Sequence, residues 1–233
     1  MDELLCYLCG KGIKQVDLSA DHVPPKQFYA SFLRKEFNLD KMDTMPTHIG
    51  CNKSYQNDED YFVHTFAPLI MNNSRSGKAL WKDIKKNFQR KEGLILGQKV
   101  LKEFSEKTEG GIILPGELIF KKFDGDRVWR VVWKIVKGLF YKEYKRVLPD
   151  NTIKIFDLLQ PEINALPETF QYVRDTPSRG RYAEVFDYKY IAVKELNNFH
   201  YWALLLWDKI IMTIAFHDPD CKCEKCIISK QNG

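Results

Sequence analysis

Two short motifs tie distant parts of the N-terminal region together. Cys6 and Cys9 stand as C-x-x-C, and His48 and Cys51 as H-x-x-C. These are nitrogen and sulfur donors of the kind Zn²⁺ takes in a tetrahedron. Two ligands two residues apart fit one tight turn, here Tyr7-Leu8 followed by Gly10. The second pair has the spacing of a turn running into a helix. The chain between the pairs then becomes a loop closed by metal. Such a span buries too little apolar area to hold itself, and structural zinc supplies on the order of 10 kcal/mol of folding free energy.

A second constellation is threaded through the first. Asp21-His22-Val23-Pro24-Pro25-Lys26 lies inside the loop, and Asn52 directly follows Cys51. Carboxylate and amide oxygens suit Mg²⁺ or Mn²⁺. A zinc bond at Cys51 fixes its neighbour Asn52. If the Asp21-His22 segment packs on the helix after His48, Asp21 and Asn52 share one divalent ion. His22, with an ordinary pKa near 6.5, then takes a proton from water, the minimum equipment for phosphodiester hydrolysis. Lys26 either meets a phosphate or is a solvated charge.

C-x-x-C, then D-H-V-P-P-K, then H-x-x-C-N resembles the HNH nucleases with a ββα-metal core, in particular the zinc-bearing branch that includes phage junction-resolving endonucleases. The resemblance spans about residues 5–62. It implies that Cys6, Cys9, His48 and Cys51 hold structural zinc. It also implies that Asp21 and Asn52 bind the catalytic Mg²⁺ or Mn²⁺, that His22 is the base, and that the substrate is DNA. His48 stands where many members have Cys. The middle Asn of the family name has no counterpart; Asp43 and Thr44 stand near its place. Further on, Lys134–Tyr141 weakly resembles a run in the C-terminal parts of bacterial HNH proteins. Free-standing proteins of this look often serve restriction or antiphage defence. That setting implies a C-terminal half that docks an activator, a sensor or another copy of the chain. The alternative is a zinc-stapled DNA- or protein-binding module without chemistry, in which Asp21 and His22 are ordinary loop residues.

The bulk numbers agree with a cytoplasmic protein and exclude little else. The chain has 233 residues, 44% hydrophobic, with a formal net charge of +5. A mildly basic balance is compatible with nucleic acid. Residues 1–6 carry neither a basic leader nor an apolar stretch, so no secretory signal is expected. The most apolar run, 201–216, contains Asp208 and Lys209 and is too short for a membrane span. The six cysteines fall into two groups of three, which favours metal or free thiols over disulfides and so a reducing compartment. His217, Cys221, Cys223 and Cys226 offer a second zinc site near the C-terminus. Free thiols, or ligands shared with a partner chain, are the alternatives.

The expected fold class is α+β: a zinc-stapled, treble-clef-like ββα nuclease domain over residues 1–75, then a helical and finally β-rich domain over 76–233. A polar run, Asn72 to Gly77, marks the boundary. Segments 4–7 and 13–18 read as a hairpin carrying the zinc turn. Helical spacing is expected at 27–39, 52–62, 77–91, 97–107 and 127–146, and strands at 152–158, 169–173, 184–192 and within 202–216. Segment 112–120 fits either a strand or a helix. Asp58-Glu59-Asp60 reads as a helix cap and solvated face, with an outer-shell role at the catalytic ion as the other reading. Arg127, Arg130, Lys134 and Lys137 recur at i, i+3, i+7 and i+10, one helical stripe. It either tracks a DNA backbone or is a solvated face.

Overall fold

A computed structural model of the chain describes residues 4–38, 42–72, 74–105, 120–159, 166–193 and 199–231. The expected elements at 106–119, which include most of the undecided segment 112–120, lie outside them. The architecture is mixed α+β, organised around one long helix.

The N-terminal unit is built as a ribbon and two helices. Leu5 and Gly12 bridge antiparallel, and Cys6 N–H donates to Lys11 O at 2.9 Å, so the C-x-x-C turn is folded by its own backbone. Gly10, at φ 73°, takes the left-handed position that closes this turn. Strand β1 (Leu18–His22) pairs antiparallel with β2 (Thr44–His48), with Asp21 opposite Met45 and His22 opposite Thr44. Helix α1 (Ser31–Glu36) lies in the connection, preceded by a short 3₁₀ turn, Lys26–Phe28. The single helix expected over 27–39 is thus split in two. Helix α2 (Ile49–Lys53) starts at the end of β2, and α3 (Gln56–Ile70) follows.

Helix α4 (Arg75–Asn87) opens with Ser74 accepting from Gly77 N–H at 2.9 Å. Helix α5 (Lys91–Leu101) comes earlier than the expected 97–107. A two-residue ribbon pairs β3 (Phe104–Ser105) with β4 (Phe120–Lys121). Helix α6 (Gly125–Tyr144) is capped by Asp124, whose carboxylate accepts from Arg127 N–H. It ends where Lys145 turns left-handed at φ 55°.

The C-terminal half is a four-stranded antiparallel sheet in the order β5-β8-β7-β6. Its strands are β5 (Lys154–Leu159), β6 (Phe186–Val193), β7 (Phe199–Leu206) and β8 (Ile210–Phe216). The last two are joined by a turn through Trp207 and Asp208, both left-handed at φ 52° and 57°. Segment 169–173, expected as a strand, is instead helix α7 (Glu168–Arg174). Pro167 starts it, and Phe170 and Val173, three residues apart, share the sheet's outer face with Tyr201 and Ala203. A short apolar run fits either period, and here packing decided. Helix α8 (Glu224–Gln231) closes the described chain.

Helix α6 sits between the two halves. One side carries Trp133 and Phe140, which meet Phe216 edge-on at 5.6 and 6.1 Å on the inner face of the sheet. Another faces the N-terminal unit, where Gly138 lets the helix close on Val23. A Cβ at Gly138 would stand 2.5 Å from Val23 Cγ2. The Trp207 indole N–H donates to Phe28 O at 2.9 Å, and the two rings lie 5.2 Å apart. One apolar cluster therefore runs from Cys6 to Phe216. The expected boundary at residue 75 coincides with the start of α4, and the core continues across it.

Candidate metal centre and adjoining cavity

Cys6, Cys9, His48 and Cys51 converge, with all ligand atoms within 4.8 Å of one another. His48 Nδ1 lies 3.4 Å from Cys9 Sγ and 3.8 Å from Cys51 Sγ. Metal bonds of zinc-thiolate and zinc-imidazole length imply tetrahedral edges of about 3.5–3.8 Å, so the donors fit zinc. His48 Nε2 stands 3.1 Å from Gly12 O. Donation from Nε2 fixes the tautomer that leaves the Nδ1 lone pair for metal. The thiols fit as well. Burial works to raise Cys6, yet the Thr47 hydroxyl and the backbone N–H groups of Cys9, His48 and Leu8 bring it down to about 6. Burial and the Cys6 thiolate then push Cys51 up to about 12. A divalent cation relieves that repulsion.

The second group also converges. His217, Cys221, Cys223 and Cys226 lie within the same 4.8 Å limit, with His217 Nδ1 at 3.4 Å from Cys221 and 3.6 Å from Cys223. Both clusters can hold a metal such as zinc.

Beside the first cluster is a cavity of about 250 Å³, lined by Asp21, His22, Lys26, Asn52, Lys53 and Glu59, among others. Its placement follows from the fold. β1 delivers Asp21 and His22 at its last two positions, and α2 delivers Asn52 one residue after Cys51 of the candidate metal cluster. Asn52 Nδ2 donates to Ser19 Oγ at 3.1 Å, binding α2 to β1. The amide oxygen is the group's remaining acceptor. Lys26 and Lys53 are exposed at the rim. Burial, then the charge of Lys26, holds His22 below the usual imidazole range, so the ring is neutral at pH 7.

The sequence pattern alone did not point to the partners of Asp21. This carboxylate is 5% exposed. Tyr7 OH donates to its Oδ2 at 2.5 Å, and Lys134 Nζ lies 3.0 Å from Oδ1 and 2.8 Å from Oδ2. Burial, then Asp21, raises the Tyr7 phenol well above its ordinary range and keeps it a donor. Lys134 also pairs with Glu59, which accepts from Gln27 at 2.9 Å. Burial raises the Glu59 carboxyl, against the pull of Lys134. Three contacts occupy Asp21, and a carboxylate offers about four lone-pair directions. One direction on Oδ1 is left for a further ligand. Asp43 accepts from Lys142 at 2.8 Å and lines a different cavity.

The basic stripe requires a correction. Lys134 and Lys137 are each 1% exposed and face inward. Lys137 donates to Leu8 O, inside the C-x-x-C turn, and to Asp150 at 2.7 Å. Arg127 and Arg130 both grip Asp58, Arg127 at 2.7 Å, and lie 4.3 Å over the rings of Tyr61 and Tyr55. Lys134 and Lys137 dock α6 onto the N-terminal unit and are closed to solvent and to DNA, while Arg127 and Arg130 pair with Asp58 and keep part of their side chains exposed. Asp58 and Glu59 are accordingly buried, not the solvated acidic face the sequence suggested. A periodic stripe shows which residues share a face, and only the partner element shows what that face meets.

No family model, no curated protein and no solved structure matches the chain.

Proposed function

We propose that this chain is a metal-dependent endonuclease of the HNH type that hydrolyses DNA phosphodiester bonds. One observation carries the reading: Asp21, His22 and Asn52 line a single cavity on a β1-β2-α2 unit whose helix begins at a Cys/His metal cluster. Asp21 and Asn52 would hold Mg²⁺ or Mn²⁺ through one carboxylate oxygen and one amide oxygen. A hard ion that keeps water and phosphate as its other ligands needs no more. When bound, such an ion neutralises charge developing on the phosphate.

The protein's own groups supply the rest. His22, neutral at its ring, takes the proton of a water as that water's oxygen bonds to phosphorus. The bond from phosphorus to the 3′-oxygen breaks, and the leaving oxygen is protonated from solvent. Lys26 and Lys53 at the rim face the phosphate oxygens. Asn52, tied to Ser19, and Asp21, tied to Tyr7 and Lys134, stay in place while this happens.

The test is cleavage of supercoiled plasmid with Mg²⁺ or Mn²⁺, with and without EDTA, by the unaltered chain and by His22→Ala. We expect the substitution to reduce cleavage by about 10²–10⁴-fold, with zinc content and the circular dichroism spectrum unchanged. Retarded but intact plasmid with the unaltered chain would establish the binding-module alternative. Full cleavage by His22→Ala would remove His22 as the base.

A further inference from the structure

Behind two of the carboxyl groups that line the cavity stands a buried cation that no local motif announces. Lys134 comes from α6, 113 residues beyond Asp21 in sequence, and is 1% exposed. Its Nζ touches both oxygens of Asp21 and one of Glu59. Its reach is set by the helix. Gly138, one turn further along α6, lets the backbone close on Val23 just past β1, and Arg127, Arg130 and Lys137 hold α6 at other points on the same unit. The ammonium group is therefore placed by tertiary packing against the one carboxylate proposed to bind a hard ion.

We infer that Lys134 is a tethered counter-ion of the metal site: it takes the share of Asp21 that a divalent ion would otherwise claim, so the site loads its ion weakly alone and firmly only together with a phosphate. This rests on the reading of Asp21 as a ligand. The charges support it. Three ammonium groups, Lys26, Lys53 and Lys134, surround two carboxyl groups, Asp21 and Glu59. Such a set attracts a phosphodiester and opposes a lone divalent cation. A bound phosphate adds negative charge and its own oxygens, which reverses the balance. Lys134 also clamps Asp21 from behind, so the remaining lone pair keeps one direction. Lys134 is thus a positioning residue, acting through Asp21.

The experiment measures Mn²⁺ binding to the zinc-loaded full chain without DNA, following the electron paramagnetic resonance signal of free Mn²⁺. Thiolates retain zinc in preference to Mn²⁺, so the oxygen site is the one titrated. Lys134→Met, similar in length and uncharged, should bind Mn²⁺ at least about tenfold more tightly than the unaltered chain. Lys134→Arg, which keeps the charge, should not gain. The double variant D21N/K134M should lose the gain. Should Lys134→Met alone fail to fold, K134M/E59Q carries the same expectation, because it also removes the carboxyl that Lys134 would leave unpaired. Unchanged or weaker Mn²⁺ affinity on losing Lys134, or a gain that survives Asp21→Asn, would overturn the inference. Plasmid cleavage by the unaltered chain, assayed in parallel, keeps the two ideas apart. Cleavage without a gain in the variants removes the counter-ion and leaves the reaction. A gain without cleavage removes the reaction and leaves the counter-ion.

Discussion

The two Cys/His clusters have the same donor set, three thiols and one imidazole, but different surroundings. At the first, the residue after the last candidate ligand is Asn52, and the neighbouring cavity measures about 250 Å³. At the second, the residue after the histidine is Asp218, and it is spent. Arg146 grips both its oxygens at 3.3 and 3.0 Å, and His200 Nε2 lies 3.2 Å away. The space beside it, lined by His217, Asp218 and Cys226 among others, is about 20 Å³, room for a single water. A donor set that can hold a metal is thus common to both ends. What differs is the open volume and the second set of donors beside the metal.

The difference predicts unequal consequences of removing metal. Cys51→Ala should lose one zinc per chain and unfold the β1-β2-α2 unit, since zinc of this kind contributes on the order of 10 kcal/mol. Cys226→Ala should also lose one zinc but free only α8 and its approach, leaving plasmid cleavage intact. Elemental analysis with thermal melts checks both. Equal loss of cleavage in the two variants would break the comparison. Next in size is the α6 contact. Gly138→Ala should cost about 1–3 kcal/mol by overpacking against Val23, with recovery in the double variant G138A/V23A. Chemical denaturation measures this, and additive losses would show that the two do not touch. Arg146→Met should cost about 1–3 kcal/mol, because it leaves buried Asp218 with fewer partners.

The smallest effect is one of pH. Burial holds His200 below the usual imidazole range. Asp218 is held below the carboxylate range despite its burial, by Arg146, Asp220 N–H and His200. Both folded values are depressed, so both contributions are present above the unfolded values. They are lost as pH falls, His200 first, below about 6.5, and Asp218 below about 3.9. His200→Gln should flatten the pH dependence of stability just below 6.5 at constant zinc content. An unchanged slope would remove His200 as its source.

Particular residues show how far the sequence could be read. The Cys/His spacings led directly to both clusters, because metal geometry constrains ligands that are two to six residues apart. Asp21-His22 and Cys51-Asn52 led to one cavity because each pair is local, and the β1-β2 ribbon with α2 joins them. The long helix followed from periodicity, and β5, β6 and the stretch that holds β7 and β8 from enrichment in β-branched and aromatic residues; the turn at Trp207-Asp208 that divides this stretch did not. Segment 169–173 did not, since a short apolar run fits either element and Pro167 with the outer sheet face decided it. The stripe on α6 was legible as a stripe, but its two lysines are buried against the N-terminal unit and so neither solvated nor DNA-facing.

By itself the amino-acid sequence determined which side chains could meet metal, because a soft tetrahedral donor set and a hard oxygen pair are properties of residue type and short spacing. It did not determine what stands behind Asp21. That was decided when α6 packed between the N-terminal unit and the sheet and brought Lys134 onto the carboxylate that Tyr7, from the C-x-x-C turn, also holds. The charge balance of the cavity is a long-range, many-body property: a buried ammonium acts through distance and burial, and neither is written in neighbouring residues.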